Sequence, residues 1–75
     1  MDPGALQTLL GRNVRRARQA AGWTQEELMS RAGVEQDYVS KLERGQKNPK
    51  LSTILKFADA LGIAPHELLS PDARS

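Results

Sequence analysis

A chain of 75 residues, 39% hydrophobic and 27% charged, suits one small domain that must draw its stability from a single packed core. With no cysteine there is no disulfide framework or thiolate metal site, and one histidine, His66, cannot hold a metal alone, so neither metal nor cofactor is expected. A formal net charge of +2 is by itself a weak argument for nucleic acid, and the chain has neither a signal-peptide pattern nor a run approaching the ~20 apolar residues of a membrane span, so a cytoplasmic protein without membrane contact is expected.

The first four residues read as a frayed start. Leu6, Leu10, Val14, Ala17 and Ala21 then fall on one helical stripe, which Gly22 closes. Thr24 and Glu27 have the spacing of a capping box, and Trp23 is placed to staple onto Leu28, so a second helix should run through Met29 and Ala32 to a turn at Gly33. A third is expected from Glu35, ending at Gly45, so over about residues 35–44. Gln46, Lys47, Asn48 and Pro49 form a polar loop, because proline bars continuous helix and extends the residue before it. Ile54, Leu55, Ala58 and Leu61 give a fourth helix its apolar face, Gly62 ends it, and Pro65 opens a short fifth helix through Leu69. Residues 70–75 read as a polar tail. No strand pattern and no repeat is present, so the expected fold is all-α, a compact five-helix domain over residues 1–75 with its core in about 5–69.

Charge is unevenly placed along these elements. Arg12, Arg15, Arg16 and Arg18 have no acid among them, and Lys41, Arg44, Lys47, Lys50 and Lys56 are interrupted only by Glu43, while Glu26, Glu27, Glu35 and Asp37 collect between the two basic stretches. That pattern suits one phosphate-attracting face on a charge-balanced surface. Between those stretches, Leu28, Ala32, Val34, Val39 and Leu42 have the spacing of two short helices crossing steeply about a glycine turn, a helix-turn-helix. If Val39 and Leu42 face inward, Gln36, Asp37, Ser40, Lys41 and Arg44 face outward. Glutamine can bond adenine, lysine or arginine can bond guanine, and aspartate can accept from the cytosine amino group.

The segments TQEELMSRAGV (Thr24 to Val34), YVSKLERG (Tyr38 to Gly45), NP (Asn48 and Pro49) and ADALGI (Ala58 to Ile63) together resemble the phage repressor and Cro type of helix-turn-helix, over roughly Leu9 to Leu69. The resemblance implies a repressor-like domain whose second and third helices form the motif, the third entering the major groove of double-stranded DNA. It implies base reading by Gln36, Asp37, Ser40 and Lys41. Phosphate contacts are expected from Arg18, Gln25, Arg44, Lys47 and Asn48, with Gln25 also bracing Gln36. Family members pair an arginine and a glutamate at the positions of Arg18 and Glu43, where a guanidinium can bond the carboxylate and keep a donor for phosphate. Met29 stands where alanine is usual.

One helix reads few bases, so a homodimer on a pseudo-palindromic operator is expected, self-associating around Ile63, Pro65, His66 and Leu69. A short chain of this kind resembles restriction-modification controller proteins and small prophage repressors. The alternative is an antitoxin or co-regulator that works through a partner protein and exposes a further apolar patch. Catalysis is not expected, because no acid-base pair, activated nucleophile or phosphate-cradling loop is present.

Overall fold

Asp2 sets where the chain becomes helical. In the computed structural model, which describes residues 1–35 and 37–71, its carboxylate accepts the Ala5 amide at 2.7 Å and Pro3 supplies the fixed φ suited to a first helical turn. Helix α1 therefore spans Pro3–Ala20, and the start expected to fray is helical. Leu9, Leu10 and Val14 are buried along it, whereas Leu6 at the outer end of the stripe remains 40% exposed.

Helix α2 spans Gln25–Ala32. Thr24 Oγ1 accepts the Glu27 amide at 3.0 Å and Glu27 Oε1 accepts the Thr24 amide at 2.8 Å, so two amides that the first helical turn leaves unpaired are satisfied reciprocally. Trp23 packs against the core, and the Arg31 guanidinium lies 4.3 Å from the centre of its ring. At the far end Gly33 takes φ +70°, the left-handed conformation that lets the chain reverse within a few residues.

Helix α3 spans only Tyr38–Glu43, shorter at both ends than the third helix expected from Glu35. At its start the cause is Asp37, which sits at φ +72° and so cannot belong to a right-handed helix. Pro49 separates this element from α4, Leu51–Leu61. The inward face of α4 consists of Ile54, Phe57, Ala58 and Leu61, at i, i+3, i+4 and i+7. Leu55, expected on that face, is 49% exposed, and the side chain that fills the interior is Phe57, 1% exposed. The expected fifth helix is a single 3₁₀ element, Pro65–Leu69. Among the described residues the architecture is thus four α-helices and one 3₁₀ helix, with no strand and no helix long and apolar enough to cross a membrane.

Leu10 and Val14 of α1, Leu28 and Ala32 of α2, Val39 and Leu42 of α3, Phe57 and Ala58 of α4, and Leu68 form one core. Asn13 is its buried polar residue. Its amide nitrogen donates to the carbonyl oxygens of Leu68 and Ser70, both at 2.9 Å, so the end of the fold is tied to α1 by bonds that also satisfy the buried amide.

Candidate functional site

The surface of interest is built on α3. Val39 and Leu42 are 2% and 0% exposed, fixing which side of this short helix faces the core. Ser40 and Lys41 lie on the other side, and Asp37 and Arg44 flank the helix as its N-cap and C-cap residues, with Ser40 half-buried and the other three exposed. Gln36 lies outside the described residues. Gln25, Glu26 and Met29 of α2 border one hollow with Asp37, Val39 and Ser40, so the beginnings of both helices share a concavity. Met29 is half-buried there and packs on the core, taking the space an alanine would leave open.

Three contacts hold α3 in place from behind. The first is a close crossing with α1: a Cβ placed on Gly11 would lie 2.3 Å from the Leu42 carbonyl oxygen and 2.9 Å from that of Glu43. The second is the core. The third is a polar hub on Glu43, whose side chain is 3% exposed. Arg18 Nε donates to Glu43 Oε2 at 2.7 Å and Nη2 to Oε1 at 3.0 Å, a two-point pairing that fixes both planes, while Nη1 donates to the Trp23 carbonyl at 2.8 Å. These hydrogen bonds to the carboxylate raise the arginine pKa above its ordinary value. Gln25 Nε2 is the third donor, at 3.0 Å from Glu43 Oε1, so α1, α2 and α3 are joined at one carboxylate. The Gln25 amide nitrogen is thereby engaged by Glu43, a contact the sequence reading did not include.

Beyond α3 the positive charge is ordered differently at each position. Lys47 is half-buried, its Nζ 5.1 Å from the centre of the Tyr38 ring, which in turn stacks on Phe57 at 6.1 Å. Burial raises the Tyr38 pKa above the ordinary phenol range. Its negative ring face holds the ammonium near the start of α3 without neutralising it. Arg44 and Asn48 are exposed. On the remaining flank, Pro65 and His66 are exposed, and Ile63 and Leu69 are half-buried against the core. Leu69 also borders a hollow with Leu6 and Leu51, two of the large apolar side chains left exposed, at 40% and 81%.

Asp37 is the one non-glycine residue at positive φ among those described. Its side chain makes no capping hydrogen bond, so nothing local offsets the left-handed conformation. Asp37→Gly should therefore stabilise the fold by about 1 kcal/mol, since glycine takes this conformation without the steric cost. Chemical denaturation reads the change, and a destabilised variant would mean that the aspartate side chain supports α3 in some other way.

Comparisons with known proteins bear on the family and the fold. A family model described as a helix-turn-helix domain matches residues 9–70. An HTH-type transcriptional regulator of Sinorhizobium fredii is 44% identical over 66 residues, covering 88% of this chain and 86% of the relative. Among solved structures, a hypothetical transcription factor from Neisseria superposes with a TM-score of 0.88 at 42% identity, covering 97% of this chain and 84% of its own. The restriction-modification controller protein C.AhdI from Aeromonas hydrophila superposes with a TM-score of 0.82 at 44% identity, covering 85% and 97% of the two chains.

Proposed function

The chain belongs to the Cro-type helix-turn-helix family, whose members are transcriptional regulators and not enzymes, and on that premise we propose that it binds one operator sequence as a homodimer. In this reading α2, the turn at Gly33 and α3 are the helix-turn-helix, and α3 lies in the major groove. The observation that carries it is the polar surface of Ser40 and Lys41 on the far side of α3 from Val39 and Leu42, flanked by Asp37 and Arg44 at the two caps.

Each residue of that surface then has a separate task. Lys41 donates to guanine, Asp37 accepts from the cytosine amino group, Ser40 allows close approach, and Gln36 adds paired hydrogen bonds to adenine. Arg18, Gln25, Arg44, Lys47 and Asn48 hold phosphates and so fix the register of α3 in the groove. Arg18 serves this purpose with the N–H groups that Glu43 and Trp23 leave free. A second copy related by a two-fold axis places its α3 about 34 Å away, in the next major groove on the same face. Self-association uses Ile63, Pro65, His66 and Leu69, to which the apolar side chains of Leu6 and Leu51 beside Leu69 add area.

Selection of bound duplexes from random DNA tests the reading. Enrichment of one inverted-repeat motif, with affinity falling steeply as salt rises, is the expected result. Recovery of no motif would contradict sequence-specific binding, and a motif without two-fold symmetry would contradict the dimer.

A further inference from the structure

Helix α1 carries Arg12, Arg15, Arg16 and Arg18 with no carboxylate anywhere in residues 3–20. Among the described residues Glu43 pairs with Arg18, and no ion pair involves the other three. Arg16 Nη1 donates to the neutral Asn13 Oδ1 at 3.4 Å, and Arg16 borders a hollow with Ile63 and Glu67 without an ion pair. Arg12, Arg15 and Arg16 are all exposed. Three guanidinium groups on one helix repel one another, a cost that a polyanion would remove.

Their placement is more telling than their number. Gly11, Arg15 and Arg18 stand at i, i+4 and i+7, one stripe of α1. Both ends of that stripe touch α3: Gly11 meets the Leu42 and Glu43 carbonyls, and Arg18 bonds the Glu43 carboxylate. Arg15 lies between them, so it follows the seam where α1 meets α3. Arg12, Arg16 and Gln19 form the next stripe outward, again at i, i+4 and i+7 and all exposed. Positive charge therefore passes from Lys41 and Arg44 on α3, across the seam, onto the outer face of α1.

We propose that Arg12, Arg15 and Arg16 form a track for the phosphates of DNA lying outside the base pairs that α3 reads. The proposal rests on the reading of α3 as the recognition helix and gives the same site a longer footprint. Guanidinium groups bond phosphate oxygens in pairs and need no particular base, so the track adds affinity and length without adding sequence preference. Duplex DNA fits better than a lipid surface, because Arg12, Arg15, Arg16 and Gln19 include no apolar side chain to enter a membrane. It fits better than an acidic protein because the strip is continuous with α3.

Duplexes carrying the selected motif, with either two or ten mixed-sequence base pairs on each side, separate the track from base reading. The wild type should bind the long duplex more tightly and with a steeper salt dependence. Each additional phosphate neutralised steepens the slope of log K against log salt by about 0.9, so one arginine per protomer engaging the flanks gives a difference of about 2 for the dimer. The triple variant Arg12→Gln, Arg15→Gln, Arg16→Gln should keep the motif and lose the dependence on flank length, while the corresponding triple lysine variant should retain it. A wild type indifferent to flank length would overturn the track, as would a glutamine triple that still favours the long duplex, or a lysine triple that does not. If selection gives no motif, base reading by α3 fails, and the same slopes measured on mixed-sequence duplexes of two lengths still decide the fate of the track. Tight capture of an acidic protein in place of flanking DNA would also overturn it.

Discussion

Gly11→Ala should destabilise the domain by about 3 kcal/mol, the upper end of the usual range for overpacking, although glycine-to-alanine changes inside helices ordinarily help. The reason is the partner atoms. The added Cβ would sit 2.3 Å from one backbone oxygen and 2.9 Å from another, and a carbonyl inside α3 cannot swing aside as the end of a long side chain can. Relief requires α3 to back away from α1, which strains the Arg18–Glu43 pairing and displaces the stripe that faces DNA. Gly4→Ala is the matched control in the same helix. Its new Cβ meets nothing nearer than Asp2 Oδ1 at 3.4 Å, so the change should be neutral or stabilising by up to about 1 kcal/mol. Denaturant titration of the two variants should therefore give opposite signs. A Gly11→Ala protein as stable as the wild type would mean that α1 and α3 have room that the crossing does not show.

Arg18→Ala should cost a similar amount for an electrostatic reason. The pair is largely out of water, with side chains 11% and 3% exposed, so removing the guanidinium strands the Glu43 carboxylate with only the Gln25 amide as a side-chain donor. Breaking one partner out of such a buried pair typically costs about 3 to 5 kcal/mol. For a domain of this size that lowers the melting midpoint by roughly 15 °C or more. Replacing both partners, Arg18→Met with Glu43→Leu, should restore much of the stability, since no charge is then left unpaired. DNA affinity should not return with it, because the double variant has lost the two-point brace on α3 and the donor offered to phosphate. Thermal melts and binding titrations on the same proteins separate these effects. An Arg18→Ala melt within a few degrees of the wild type would show that water reaches Glu43 and relieves the stranded charge.

How much of this was legible in the sequence depends on the kind of signal. The helices and the capping box at Thr24 follow from periodicity and short-range hydrogen bonding, which the chain writes locally. Phe57 was within reach, since it stands at i+3 from Ile54 on the stripe that buries Ala58 and Leu61, and its place there explains why Leu55 is left outside. The interior glycine at position 11 also carried a hint, because glycine inside a helical pattern often marks a close approach. Asn13, a polar residue among apolar neighbours on the same helix, carried a similar one. Their partners could not be read, however: Leu42 lies 31 residues beyond Gly11, and Leu68 lies 55 beyond Asn13. The shortened start of α3 was illegible for another reason. Aspartate at position 37 looks like an ordinary first-turn acid, and only the tertiary path of the chain puts it in the left-handed region. Likewise, the joining of Gln25 to Glu43 depends on two helix ends being brought together by the core.

If the exposed surface of α3 reads bases while the loop beyond it only holds phosphates, replacing one lysine on each should have different consequences. Repeating the selection from random DNA with Lys41→Ala and with Lys47→Ala separates the two roles. Lys41→Ala should enrich an altered motif, changed at one symmetric pair of positions, at a cost of about 1 to 3 kcal/mol on the wild-type site. Lys47→Ala should enrich the wild-type motif, more weakly and with a shallower salt dependence. An unchanged motif for Lys41→Ala, or a new one for Lys47→Ala, would contradict that division of roles.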